Sequence, residues 1–495
     1  MLIQSLKKSF TLKGIFFQVT IASLSGFLLG VACVLFSGLW VLGILAAVLA
    51  IFAILKRPEL AVLGILIATS SIVFEDQLPM LSVGGISLHI PDLLLLGMLG
   101  LIIVRWLVEP KFKLVHTPLD WPMLVFFGVT LLSTFLAIYQ GSVVAEEARR
   151  WIRVLAYYLT FFMITNLVRE RQQLNNLLNG LFLLATMVAT VMVAQYVLGQ
   201  SVALLPGRVE SLNTQGVDYA EITRILPPGL SIVLTVFVAS LCCLLLDEFK
   251  PFGWLKFTQF SLLGLALIFT FLRSYWGALL IVLALLVFIV KGSDRQKLIT
   301  WGLGAVLGAM ILILGVTLTP GSKVAGLFGA SSERISTIFQ LETYQGQDDS
   351  FNWRVIENQY AVIAIQEHPL LGMGMGFTYR PWDRRIDTPR DVMDFRKHIH
   401  NGHLWIMLQS GLLGYLSLAW LSLVFFYRGF SSWQKITNTR FRGIVLGFTL
   451  AYLAVVIAAF VNSSFTQWRW TPVIGLMMGI NEVILAKFRQ DEPEA

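Results

Sequence analysis

Residues 443–461 read GIVLGFTLAYLAVVIAAFV, nineteen residues without a charge. As a helix this stretch is about 28 Å long, enough to cross the hydrocarbon layer of a bilayer. A soluble helix of that length shows a polar stripe, and this one shows none. Its left flank, Arg440 and Arg442, is basic. Similar runs recur along the whole chain. Candidate spans fall near 15–36, 38–55, 59–74, 91–108, 121–139, 152–168, 174–198, 225–246, 256–272, 274–290, 298–318, 403–427, 443–461 and 471–486. The expected fold is therefore an all-α polytopic membrane protein with about 14 transmembrane helices.

Composition agrees. Of 495 residues, 56% are hydrophobic and 13% charged, where soluble domains carry about 25% charge. Mean hydropathy is +0.75. The net charge of +8 reads as basic cytoplasmic loops, and no nucleic-acid partner is expected. The run at 15–36 follows Lys7, Lys8 and Lys13 and is too long for a signal h-region, so a span is expected there and not a cleaved leader. Three Cys, with Cys242 and Cys243 adjacent in an apolar run, give neither metal spacing nor a disulfide framework.

Placing the N-terminus inside makes every inner loop basic, from Lys56 and Arg57 to Lys487 and Arg489. Both termini are then cytoplasmic. Twelve of the 14 Lys fall on the inner side. Arg behaves differently, with Arg149, Arg150, Arg153, Arg208, Arg224, Arg273, Arg354, Arg380 and Arg469 among those on the outer face. Lys would serve topology equally well. A planar guanidinium can also bind phosphate or carboxylate through two parallel hydrogen bonds, which points to an anionic ligand. Pairing with local acids is the other reading, since residues 320–400 hold ten Asp/Glu against nine Lys/Arg. For Arg149, Arg150 and Arg153 the nearest acids are Glu146 and Glu147.

One long extracytoplasmic loop is expected at 319–402. Within it Trp353, Ile356, Tyr360 and Ile363 mark a helix over 353–366. Pro369 and the glycines at 372, 374 and 376 end it in a tight turn. The chain thus divides into N-terminal spans (1–120), core spans (121–318), the loop (319–402) and C-terminal spans with a tail (403–495). Trp468-Arg469-Trp470 reads as an interfacial anchor.

The strongest chemical signal is His398-Ile-His400-Asn401-Gly-His403 at the start of an apolar helix. Asn401 suits an N-cap. The helix N-terminus favours an anion and keeps His400 neutral, able to accept a proton. Gly411 and Gly414 allow close helix approach. His398 and His403 are the rival bases. A lone structural histidine at an interface would look the same; the full spacing says more. His400-Asn401, nine residues, Gly411, two residues, Gly414-Tyr415 resembles the signature of the bacterial O-antigen ligase/polymerase family. That family also carries an Arg near a Trp, here Trp353-Arg354, and a Pro-Leu-Leu-Gly-x-Gly turn, here Pro369–Gly374. Its Ser-Arg-Gly appears as Leu272-Arg273-Ser274, with different flanks. The resemblance covers roughly 120–485.

What the resemblance implies is a membrane glycosyltransferase of the C type in the bacterial inner membrane. It would move glycan from an undecaprenyl-diphosphate-linked donor to an acceptor hydroxyl, such as lipid A–core, at the periplasmic face, with no cofactor and no metal. His400 would be catalytic. Arg273, Arg354, Asn401, Arg150 and Arg153 would bind substrate. A polymerase joining lipid-linked repeat units is the alternative, since both use one donor chemistry. A transporter would place charged residues at mid-span, and these spans are nearly free of charge.

Overall fold

A computed structural model describes residues 52–73, 78, 80–83, 86–214, 217–246, 253–318, 326–327, 329–332, 349–387 and 394–489. The expected span at 15–36 and most of that at 38–55 lie outside them. The chain forms two units, Met1–Leu60 and Ala61–Ala495; the site lies in the second.

The structure is predominantly helical. In chain order the helices are α1 (Pro58–Thr69), α2 (Ile90–Val108), α3 (Asp120–Tyr139), α4 (Ala145–Ala156), α5 (Thr160–Leu167), α6 (Arg171–Leu198), α7 (Leu230–Leu246), α8 (Gly253–Ile268), α9 (Arg273–Ile289), α10 (Gly292–Leu318), α11 (Asp349–Glu367), α12 (Gly402–Ser432), α13 (Thr439–Ala458) and α14 (Thr471–Lys487). Among the described residues five of them, α2, α3, α6, α12 and α13, are long and apolar enough to cross a membrane, and α1, α7, α8 and α9 are shorter apolar helices. Regular helices satisfy their backbone polar groups within the segment, as a lipid environment requires. Large apolar side chains such as Trp121, Phe135, Phe288 and Leu423 remain exposed on them, a surface that suits acyl chains and not water.

The centre is α13, 78% of whose apolar window is buried against 28% for α2. It packs on α7 and α9, while α14 packs on α5, α12 on α3, and α11 on α12. Small residues set the spacing. A Cβ on Gly447 of α13 would come within 2.5 Å of Ala239 Cα in α7, so those two backbones touch.

Two antiparallel hairpins depart from the all-α expectation. Met80–Val83 (β1) pairs with Ile86–His89 (β2), and Val209–Thr214 (β3) pairs with Val217–Ile225 (β4) across a register shift at Ser211/Leu212. The second hairpin is pinned by Leu212 and Ile222, buried with Phe271 and Ala330. The expected span from 225 therefore begins as a helix only at Leu230. The expected span at 152–168 is α4, a 3-10 turn at Tyr157–Leu159, and α5. The helix expected over 353–366 is α11, extended four residues N-terminally.

Helix α12 is interrupted at Gly411 (φ 65°, ψ −167°). The turn after α11 fills the break. Leu412 N–H donates to Pro369 O (2.8 Å) and Leu413 N–H to Leu370 O (3.2 Å). In return Met373 N–H donates to Leu408 O (2.7 Å) and Gly374 N–H to Gln409 O (3.0 Å). Ser133 of α3 donates to Gln409 O (2.8 Å). Gly411 was expected to admit a neighbouring helix; it admits a turn of main chain instead. A Cβ there would lie 2.2 Å from Leu370 C, and one on Gly372 would lie 2.5 Å from Leu408 O. Backbone cannot step aside as a side-chain end can.

Gly411→Ala should therefore cost about 2–4 kcal/mol, from left-handed strain plus overpacking. Gly100→Ala in α2, where a Cβ meets nothing within 4 Å, should stay within about 1 kcal/mol of wild type. Unfolding of the purified variants in detergent checks both. Equal melting temperatures for Gly411→Ala and wild type would refute the inserted-turn account.

Candidate active site

The break in α12 fixes where α11 lies, and α11 supplies the partner of His400. The carboxylate of Glu357, fully buried, lies with Oε2 2.9 Å from Nδ1 of His400. The main-chain N–H of His400 donates to the same oxygen at 3.2 Å. A carboxylate accepts, so Nδ1 carries the proton and Nε2 presents its lone pair. Nε2 has no hydrogen-bond partner among the described residues, and the side chain is 31% exposed. The pair has the arrangement of a base oriented by a buried acid.

Asn401 caps α12. Its Oδ1 accepts from the N–H groups of His403 (3.1 Å) and Leu404 (3.2 Å). The helix start is clamped to the segment after α13, since Gly402 N–H donates to Ala459 O (2.7 Å) and Asn462 O (3.2 Å). The same segment touches Arg354 and the residue after Arg273. Arg354 Nε donates to Val461 O (3.3 Å). Asn462 Nδ2 donates to Ser274 Oγ (2.7 Å), beside Arg273 at the start of α9. Val461–Asn462 thus joins α9, α11 and the start of α12.

Arg150 and Arg153 are elsewhere engaged. Arg150, exposed, pairs with Glu146 (3.3 Å) and Glu147 (3.9 Å). Arg153 Nε donates to both oxygens of Asp92 (2.8 and 2.9 Å), and Tyr157 OH donates to Asp92 Oδ1 (2.6 Å). The partner of Arg153 is thus an acid on α2, 61 positions away, and not Glu146 or Glu147.

The rival histidines are also placed. His403 has both ring nitrogens occupied, Nε2 by Val456 O (3.0 Å) and Nδ1 by the hydroxyl of Tyr415 (3.2 Å). It ties α12 to α13, and the motif's Tyr415 serves it. His398 Nε2 meets Ser463 Oγ (3.2 Å). Burial, and then the neighbouring His400, push its pKa down to about 3. The strand that carries His398 and His400 is held by Tyr379, whose hydroxyl donates to His398 O (3.3 Å). The adjoining loop is closed by a buried two-bond pair, Arg380 to Asp387 (2.6 and 2.8 Å). Those bonds hold the Asp387 carboxyl below its ordinary range.

Residues 259–419 match the O-antigen ligase family. This stretch is an O-antigen ligase domain. It takes in Arg273, Arg354, Glu357, His400, Gly411 and Gly414, so the inserted turn and the His–Glu pair are features of the ligase domain itself. Asn462 lies beyond the match and buttresses the domain from outside it. Comparison with curated proteins gives no match.

Glu357 and Asn462 escaped the sequence reading. Glu357 left one signal, a carboxylate one turn from Trp353 on the apolar side of α11. Asn462 left none.

Glu357→Gln tests the pair. An amide can donate to Nδ1 and leave the proton on Nε2. We expect glycan transfer to fall by about 10² or more, with folded protein retained. Wild-type turnover in Glu357→Gln, measured with saturating donor, would show that Glu357 only fills space.

Proposed function

We propose that the protein transfers glycan from an undecaprenyl-diphosphate-linked donor to an acceptor hydroxyl, lipid A–core or a similar saccharide, at the outer face of the inner membrane. The observation that carries this reading is the buried Glu357 held against Nδ1 of His400 just before the N-terminus of α12. Membership of the matched segment in the O-antigen ligase family supports a glycan-transfer role in O-antigen or lipopolysaccharide synthesis.

In this reading Nε2 of His400 takes the proton from the acceptor hydroxyl as its oxygen attacks the anomeric carbon. The bond from that carbon to the phosphate oxygen breaks, and the lipid diphosphate leaves with the electron pair. Its added charge falls to Arg273 and Arg354 and to the positive end of α12. Glu357 stays ionised and offsets the charge that develops on the imidazole. Asn401 positions the helix end. Arg150 and Arg153 have acid partners and so hold the outer surface instead of the donor. Both chain termini are cytoplasmic in this arrangement.

The test is purified protein in nanodiscs with a lipid-diphosphate glycan and candidate acceptors. His400→Ala should lose about 10²–10⁴ in turnover while still binding donor. Arg273→Ala and Arg354→Ala should lose donor binding, and Lys at either position should restore only part of it. Full turnover in His400→Ala would end the base assignment. A lengthened lipid-linked glycan in place of a transferred one would assign polymerisation.

Sidedness has its own check. In a background with the native cysteines replaced, a cysteine at exposed Ser332 should react with an impermeant thiol reagent in spheroplasts. Reaction only after permeabilisation would put the loop on the cytoplasmic side.

A further inference from the structure

The Trp468-Arg469-Trp470 run, expected as an interfacial anchor, packs against protein. Trp470 is fully buried and stacks on Tyr275 with ring centroids 5.6 Å apart. Trp468 meets Tyr157 edge to face at 4.7 Å, and Arg153 lies over its ring at 4.2 Å. Arg469 between them is turned to the wall of a cavity of about 380 Å³, which Trp151, Trp468, Gln467 and His398 also line. That volume falls within the ~300–1,000 Å³ of small-ligand sites.

Three properties define what fits. First, among the described residues Arg469 makes no hydrogen bond or ion pair, and no described residue of the cavity wall is an Asp or Glu. Burial lowers the proton affinity of Arg469, and its charge in turn adds to the effect of burial in lowering that of Arg208. A desolvated cation calls for an anion. Second, the wall carries indole rings, flat apolar faces that suit the C–H face of a sugar ring, next to the amide of Gln467 and the hydroxyl of Thr466. Third, Nδ1 of His398 is buried without a hydrogen-bond partner. The His398 ring lies 5.1 Å from that of His400, so the cavity adjoins the reacting centre.

We propose that this cavity binds a pyranose ring bearing an anionic group, with the ring against the indoles and the anion at Arg469. The anion is the carboxylate of a uronic acid or the phosphate of a phosphorylated sugar. The cavity would thereby select charged glycans for the bond formed at His400. This rests on the transfer reading for its role in selection, but its binding chemistry stands on the cavity alone.

The experiment is calorimetric titration of the full-length protein in nanodiscs. The probes are the methyl glycosides of glucuronic and galacturonic acid, glucose 6-phosphate, methyl glucoside and galactoside, and inorganic phosphate. At least one charged sugar should bind about tenfold or more tighter than its neutral counterpart, the scale of one charge-assisted contact. Whether a uronate or the sugar phosphate binds tighter identifies the anion. Inorganic phosphate should bind more weakly than that sugar, because it lacks the ring. Arg469→Gln should abolish the preference without changing the melting temperature, and Arg469→Lys should retain part of it. His400→Ala should keep it in full. Equal affinity for charged and neutral sugars, no binding of any sugar, phosphate binding as tightly as the best sugar, or a preference that survives Arg469→Gln would each overturn the proposal. The two readings fail separately. A protein that shows the preference but transfers no glycan disproves transfer alone, and one that transfers glycan without the preference disproves the subsite alone.

Discussion

Within lipid, a broken helix exposes N–H and C=O groups that only protein can satisfy. Helix α12 is broken at Gly411, and the turn 369–374 supplies two acceptors and two donors to the freed groups. Each pairing uses main chain on both sides, so the turn can sit in one register only. Because the turn directly follows α11, that register also fixes the height and rotation of α11. Glu357 is consequently carried to His400. The His400–Glu357 pair at the N-terminal end of α12 thus depends on a backbone exchange further along the same helix, at Leu408–Leu413.

The site is built from opposed demands. A buried carboxylate is costly unless a donor meets it. Glu357 receives two donors, the ring Nδ1 and the main-chain N–H of the same histidine. The ring is thereby held in one tautomer and one orientation. His403 lies one turn further along and is saturated by Val456 and Tyr415. Two histidines three residues apart therefore receive different roles from their second contacts, and the motif residue Tyr415 belongs to the structural one.

The segment Val461–Asn462 draws together elements distant in sequence. Its carbonyls and one amide contact α9, α11 and α12 together. The carbonyl of Val461 accepts from Arg354, whereas the carboxylate of Asp92 accepts from Arg153.

Uninterrupted apolar runs were sufficient to read a predominantly helical fold, because in lipid a long apolar segment has few alternatives to helix. The spacing from His400 to Tyr415 marked out the candidate site, since capping, a helix break and close packing each demand a residue type at a set distance. The short strands of 209–225 escaped notice because a brief polar alternation is faint beside twenty-residue apolar runs. Partners could not be read at all. Lipid-facing and core-facing residues are equally apolar in a membrane helix, so hydropathy does not say which face meets which neighbour. The approach of Glu357 to His400 across 43 positions, the claim of Asp92 on Arg153 and the inward turn of Trp470 were decided by packing, where small residues and buried polar groups admit only one arrangement.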